Sequence, residues 1–102
     1  MIPVRHIFSR VPMANGSFIQ SDDDAQVFID PDLVDTITCV SPRRRAEQSI
    51  PDVVNSIIRY RDHQVGYRLF YIANLASHVA SMIQAVKRGE NPGDVPEIPH
   101  GV

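Results

Sequence analysis

The stretch VGYRLFYIANLASHVASMIQAV, residues 65–86, decides the predicted fold because its apolar residues recur at a regular interval. Apolar side chains stand at positions 65, 69, 72, 76, 79, 83 and 86. This alternating spacing of four and three is typical of one face of an amphipathic α-helix. Gly89 is a favoured residue just after a helix end, and Pro92 cannot continue a helix. The pattern therefore predicts a helix over residues 66–88.

The same periodicity extends upstream, through Ile58, toward a second predicted helix over residues 51–62. Ser49 is a suitable N-cap, and Pro51 fits the first helical turn, where a missing N–H costs nothing. Gly66 and the polar residues before it weaken the centre of the region. The residues leave two arrangements open, which are two consecutive amphipathic helices or one continuous helix.

The first forty residues favour short strands and turns. Asn-Gly in ANGS (14–17) is a common hairpin turn, and Pro12 restricts any such hairpin to a sheet edge or a loose arm. QVFI (26–29) and TITCV (36–40) are the strongest strand candidates. We interpret SDDDA (21–25) as a turn or a helix start, and DPDLVD (30–35) as a single turn capped by its first aspartate.

The predicted fold class is therefore α+β, within one domain of 102 residues. A short β-rich and acidic region, 1–48, precedes a helical region, 49–88. An extended, acidic, proline-rich arm covers 89–102. The chain is long enough to bury one modest core.

Charge is distributed unevenly, since an acidic N-terminal part and an acidic tail flank a basic centre. Within that centre, five arginines are candidate contacts for a polyanion or for an acidic partner surface: Arg43, Arg44, Arg45, Arg59 and Arg61. No nucleic-acid-binding motif accompanies them. Pairing with acidic segments of this chain or of its neighbours is the principal interpretation, and contact with nucleic acid is the alternative.

Motifs for chemistry are absent from the sequence. The aspartates at 22–24 lack the central glycine of a calcium loop, and the four histidines show no metal-ligand spacing. The single cysteine forms no internal disulfide, and no glycine-rich phosphate loop occurs. We therefore predict no enzymatic activity, no cofactor, no metal and no small-molecule substrate. No stretch is apolar enough to span a membrane, and the predicted location is the cytoplasm.

These observations predict a non-enzymatic structural or adaptor subunit that forms oligomers, or docks in a larger assembly such as a virus particle or a secretion machine. Its interface would be an apolar row on the C-terminal helix, comprising Val65, Leu69, Ile72, Leu75, Val79, Met82, Ile83 and Val86. The expected partners are further copies of the chain or other protein subunits. A small nucleic-acid-binding regulator using Arg43–Arg45 is the first alternative, and an inhibitor that masks a partner surface is the second.

Overall fold

The computed structural model describes residues 1–96, which form a five-stranded antiparallel sheet with two short helices. In chain order, the elements are β1 (Ile2–Pro12), β2 (Phe18–Ile29), β3 (Val34–Cys39), α1 (Pro42–Gln48), β4 (Ser56–Asp62), β5 (Gly66–Ile72) and α2 (Ala76–Lys87). Single 3-10 turns occur at Pro31–Leu33 and Pro92–Asp94. The strand order is β2-β1-β5-β4-β3, and so β2 and β3 form the two edges.

The two edge strands are joined by residues 30–33 alone. Neighbouring strands lie about 4.8 Å apart, so a flat sheet of five strands would separate its edges by about 19 Å. The link is too short for that, because most of it is a 3-10 turn that rises about 2.0 Å per residue. The sheet therefore curls, and the backbone N–H of Asp30 donates a hydrogen bond to the hydroxyl of Tyr60 on β4 (3.0 Å).

A β-bulge in β1 determines which side chains reach each face of the sheet. His6 and Phe8 pair with Ile72 and Tyr71, which are consecutive on β5, so Ile7 is an extra residue on β1. As a result, Ile7 and Phe8 both lie on the face that packs against the segment containing α1, here called the α1 face. Without the bulge, strand alternation would send one of them to the opposite face.

The larger core lies on that opposite face, here called the α2 face. Its buried members come from four strands and from α2: Ile2, Val4, Ile29, Ile58, Ile72, Val79 and Met82. Val27 of β2 and Val34 of β3 both pack against this cluster, so both edges of the curled sheet border the same core.

A smaller core lies on the α1 face and contains Phe8, Ile50, Val54, Ile57 and Tyr71. The rings of Phe8 and Tyr71 stack with their centroids 4.2 Å apart. Ser41 caps α1 by accepting a hydrogen bond from the backbone N–H of Arg44 (3.1 Å). Ser49, predicted to begin a helix, instead ends α1 in the left-handed conformation with φ +53°.

The prediction of an α+β chain with a helical C-terminal half is wrong, because the fold is mostly β. Residues 51–62 form a loop and β4 rather than a helix. The first part of the predicted helix 66–88 is β5, and only Ala76–Lys87 is helical. The described chain contains neither one continuous helix over 51–88 nor a helix that covers all of 66–88.

The error has a physical cause in the residues of β4 and β5. SIIRYRD (56–62) and GYRLFYI (66–72) are rich in β-branched and aromatic side chains, which favour strands. The polar residues between them form a tight turn, in which the carboxylate of Asp62 accepts hydrogen bonds from the backbone N–H groups of Gln64 and Val65 (2.8 and 3.4 Å). These bonds, the one from Gln64 above all, lower the pKa of Asp62. Gly66, at φ +88°, completes the reversal.

The predicted extended arm, 89–102, is described only as far as residue 96. Gly89 ends α2 with φ +78°, as its position predicts. Asn91 then caps a 3-10 turn by accepting a hydrogen bond from the backbone N–H of Gly93 (2.9 Å), and Val95 packs against the core of the α2 face. Residues 97–102 lie outside the described part of the chain.

Among residues 1–96, no helix combines the length and the apolar character that crossing a membrane requires.

Two residues of the predicted apolar row test this fold by mutation. Ile72 is fully buried, whereas Val65 is 43% exposed. We expect Ile72→Ala to lower the free energy of unfolding by about 2–5 kcal/mol, because it leaves a cavity in the core. Val65→Ala should change it by less than about 0.5 kcal/mol. Urea unfolding of both variants provides the measurement, and similar losses for the two would contradict the fold.

Candidate protein interface

Exposed apolar side chains concentrate on the hairpin formed by β1 and β2. The large apolar residues that are exposed on it or at its start are Met1, Met13, Phe18, Ile19 and Phe28. Met13, Phe18 and Ile19 are 44%, 51% and 56% exposed and lie within seven residues of one another. We call residues 13–21 the hairpin tip. Exposed apolar residues that lie this close together in the chain make the hairpin tip a candidate site of association.

The turn of the hairpin tip is well defined. The backbone N–H of Met13 donates to the carbonyl of Ser17 (2.8 Å), and that of Gly16 donates to the carbonyl of Met13 (3.1 Å). Gly16 has φ +86°, a conformation that other residues rarely adopt. The side-chain oxygen of Asn15 accepts hydrogen bonds from the backbone N–H and the hydroxyl of Ser17 (3.1 and 2.6 Å). The ANGS turn predicted from sequence is therefore confirmed.

Arg10 orders one side of the hairpin tip. Its guanidinium lies over the rings of Phe18, Tyr71 and Phe8, at 4.4, 5.0 and 5.1 Å from their centroids. Its Nε also donates a hydrogen bond to the side chain of Gln20 (3.1 Å). Phe18 and Gln20 therefore share the face that carries Arg10. Ile19 lies between them in the strand, so its side chain points to the other face.

The backbone of β2 has an unpaired outer edge at the hairpin tip. In the described chain, β2 pairs only with β1, and no backbone hydrogen bond joins it to another element. The carbonyl of Ser17 points inward to Met13, and strand residues alternate in direction. The N–H and C=O groups of Phe18 and Gln20 therefore point outward, where another strand can pair with them.

The acidic residues 22–24 lie within β2, so the prediction that they form a turn or a helix start is wrong. Asp22 accepts a hydrogen bond from the side chain of Gln20 (3.0 Å). Asp24 accepts two from the guanidinium of Arg5, at 3.0 and 2.9 Å. These bonds lower the pKa of Asp24, with the Arg5 hydrogen bond as the main cause. Cross-strand pairing with Arg5 thus accommodates a carboxylate in the strand.

The predicted interface row does not form one surface. Ile72, Val79 and Met82 are buried in the core of the α2 face, whereas Leu69 packs against the core of the α1 face. Val65 is exposed at the turn between β4 and β5. The row was derived for a continuous helix, and the strand that replaces its first part directs its residues to both sides of the sheet.

The remaining three members of the row accompany α2. Leu75 is its N-cap residue and is half-buried. Ile83 and Val86 are half-buried and pack against the core of the α2 face. Together with Val79 and Met82, they attach α2 to its own sheet rather than to a second molecule.

The arginines of α1 differ in their surroundings. Arg43 is 88% exposed and forms an ion pair with Glu47 one helical turn later (2.8 Å). Arg44 is half-buried. Arg45 is bound within the chain, since its guanidinium donates to the carbonyls of Pro51 and Val54, the latter at 2.9 Å. Of the three, Arg43 is the most available to a partner.

Arg59 and Arg61 are also engaged by their own chain. Arg59 pairs with Asp35 on β3 (3.3 Å) and lies over the ring of Tyr67, 4.0 Å from its centroid. Arg61 donates to the backbone carbonyl of Asp32. Of the two, only Arg59 forms an ion pair with the acidic N-terminal part, and the pairing of the basic centre with acidic segments stays an interpretation. Contact of the arginines with nucleic acid stays a prediction.

The sequence predicts the turn of the hairpin tip but does not single out the residues beside it as an interface. Phe18 and Ile19 follow the Asn-Gly turn directly, and Pro12 indicated an edge position. Apolar residues next to a turn at a sheet edge are the sequence feature that indicates this interface. Within residues 1–96, no group of three histidine, cysteine or acidic side chains is placed to hold a metal ion.

No protein-family model, no curated protein and no solved structure matches this chain.

The Arg5–Asp24 pair predicts how stability depends on pH. The folded state lowers the pKa of Asp24, so the pair stabilises the fold above the ordinary aspartate value of about 3.9. This contribution is lost as the pH falls through the lower, folded-state value. We expect Asp24→Asn to be less stable than the original chain at pH 7, with a difference that shrinks as the pH is lowered toward 2. Urea unfolding at both pH values provides the test, and an equal difference at both would contradict it.

Proposed function

We propose that the protein is a non-enzymatic subunit that associates with a second copy of itself through the hairpin tip. The outer edges of two β2 strands pair in an antiparallel arrangement across a two-fold axis. The two five-stranded sheets then become one continuous sheet. Such a unit suits a structural or adaptor role in a larger assembly, within the cytoplasm, where the exposed thiol of Cys39 stays reduced.

The observation that carries the proposal is an uncharged stretch of edge strand, residues 18–21, with an outward backbone and exposed apolar side chains. An unprotected edge of this type is a template for pairing with another strand. Natural edge strands are usually protected by charged residues or by proline. In β2 this protection begins only at Asp22.

The charges of β2 select the register of the pairing. If Ile19 lies opposite Ile19 of the second copy, Phe18 forms hydrogen-bonded pairs with Gln20 across the axis. Asp22 then lies opposite Gly16, and the other two aspartates lie opposite Asn15 and Ala14. A register centred on the aspartates would instead place like charges directly opposite one another, which is destabilising.

The expected affinity is modest. Burying a large apolar side chain completely contributes about 1.5–3 kcal/mol, and Phe18 and Ile19 are about half exposed in the single chain. The free energy gained by burying two copies of each side chain and by forming a short hydrogen-bonded ladder must outweigh the cost of association, which is about 4 kcal/mol or more. A dissociation constant in the micromolar range or weaker follows.

The nucleic-acid alternative lacks a comparable feature. Arg45, Arg59 and Arg61 make hydrogen bonds or ion pairs within the chain, and the aromatic ring beside Arg59 is already covered by it. A binding surface for single strands needs rings that are open for bases to stack on.

Light scattering as a function of concentration tests the proposal. We expect the average mass to rise from monomer toward dimer over the micromolar range. Ile19→Asp should keep the protein monomeric, because it places two carboxylates together at the axis. Val65→Asp is the matched control, since Val65 is also an exposed apolar residue in a hairpin but lies on β4–β5. It should associate normally. A monomeric original chain at all concentrations would refute the proposal.

The salt dependence of association distinguishes this interface from one in which arginines of one copy pair with aspartates of another. The two sets of aspartates at the proposed interface repel weakly, and salt screens that repulsion. We therefore expect the dimer to persist or to strengthen as the salt concentration rises from 50 mM to 1 M. Dissociation at high salt would instead indicate an ionic interface.

Substitutions at Gln20 test whether the outward backbone N–H groups of β2 contribute to the dimer. Gln20→Pro removes an outward N–H but no hydrogen bond of the β1–β2 ladder. Gln20→Ala removes the same side chain, with its bond to Arg10, and keeps the N–H. We expect the proline variant to weaken the dimer at least tenfold relative to the alanine variant. Equal affinities in sedimentation experiments would show that strand pairing is not involved.

A further inference from the structure

A cavity of about 280 Å³ opens on the α2 face of the sheet, and α2 contributes no residue to its lining. Its walls come from β1, β2, β4 and β5. The space lies in the curl of the sheet and is open to solvent, while α2 fills the other part of the same face. The volume is just below the usual range for ligand sites, about 300–1,000 Å³, so only a small molecule fits.

Aromatic rings form one side of the cavity. The rings of Tyr60 and Phe70 lie 5.2 Å apart and are tilted by 60°. The imidazole of His6 meets Phe70 edge-on at 5.6 Å, and both residues line the space. Aromatic walls in this arrangement favour a planar apolar group.

Arg68 supplies a cation to the same cavity. One terminal nitrogen of its guanidinium lies 3.5 Å from the carboxylate of Asp62, a long ion pair. Its Nε is buried and has no hydrogen-bond partner in the described chain. Since Nε has almost no accessible surface while the side chain as a whole is 35% exposed, the terminal nitrogens are the donors that a ligand in the cavity can reach.

Other polar groups around the cavity also offer donors. The hydroxyl of Tyr60 accepts from the backbone N–H of Asp30, and within residues 1–96 its own proton has no acceptor. Ser9, only 3% exposed, contributes a second hydroxyl. The Nδ1 of His6 lies 2.7 Å from the carbonyl of Asp23, and since a carbonyl only accepts, Nδ1 donates its proton to that carbonyl and not to a ligand. The site thus combines an apolar wall with two hydroxyls and the guanidinium of Arg68.

We propose that this cavity binds a small aromatic carboxylate. The ring packs against Tyr60 and Phe70, and the carboxylate accepts hydrogen bonds from Arg68 and from the hydroxyl of Tyr60. Arginine suits this role because its planar donors match the two oxygens of a carboxylate. Asp23 also lines the cavity and Asp62 lies beside Arg68, and these carboxylates repel a ligand with more than one negative charge.

Calorimetric titration with benzoate, cyclohexanecarboxylate and acetate tests this site. We expect saturable binding of benzoate, weaker binding of the non-planar ring, and at least tenfold weaker binding of acetate. Arg68→Gln should weaken benzoate at least tenfold. Arg59→Gln is the matched control, because Arg59 lies on the neighbouring strand and lines a cavity on the α1 face. Its benzoate affinity should be unchanged.

Amide chemical shifts of the original chain provide a test that does not depend on the folding of a variant. Benzoate should move the resonances of residues around Tyr60, Arg68 and Phe70, and leave those of α1 in place. The proposal is overturned if benzoate does not saturate at millimolar concentration or if the shifts lie elsewhere. It is also overturned if folded Arg68→Gln binds benzoate as well as the original chain. These results would not affect the proposed association through the hairpin tip.

Discussion

The four-residue link between the two edge strands is the constraint on which the rest of the structure depends. Residues 30–33 join strands that a flat sheet would hold far apart, and so the sheet curls toward its α2 face. The curl brings β2 and β3 to one core, on which α2 packs. It also leaves an open cavity beside Tyr60, whose hydroxyl accepts a hydrogen bond from the backbone N–H at the beginning of the link. Core, helix position and cavity thus share one cause.

The bulge in β1 has a complementary effect at the other end of the hairpin. It places Phe8 on the α1 face, where its ring stacks on Tyr71 and both contact the guanidinium of Arg10. Arg10 in turn orders Phe18 and Gln20 beside the outer edge of β2. These contacts order the hairpin tip within the single chain, which lowers the entropic cost of the association proposed above. In that proposal, the acidic residues that follow limit the register of pairing.

Short sequence motifs predict several turns and strands of this fold. The main error is the helix predicted over a segment that forms β5, because its apolar residues fit both a helical and a strand spacing. The Asn-Gly turn, the turn capped by Asp30 and the strand segments in β2 and β3 were all readable from short-range chemistry. Residues 65–72 fit a helical spacing equally well, since apolar side chains on both faces of a buried strand match either period. Pairing with β1 and β4 decides between them, and the local pattern of apolar residues does not reveal these long-range contacts. Phe18 and Ile19 directly follow the predicted turn, but the sequence does not show that their side chains are exposed.

Hydrogen exchange measured at several protein concentrations tests the central claim most directly. The outward backbone amides of Phe18 and Gln20 become paired only if a second strand adds to the edge of β2, whereas the inward amide of Ile19 is already paired with β1. The account predicts that exchange at Phe18 and Gln20 slows as concentration rises, while exchange at Ile19 changes far less. Fast exchange of both outward amides at every concentration would contradict it.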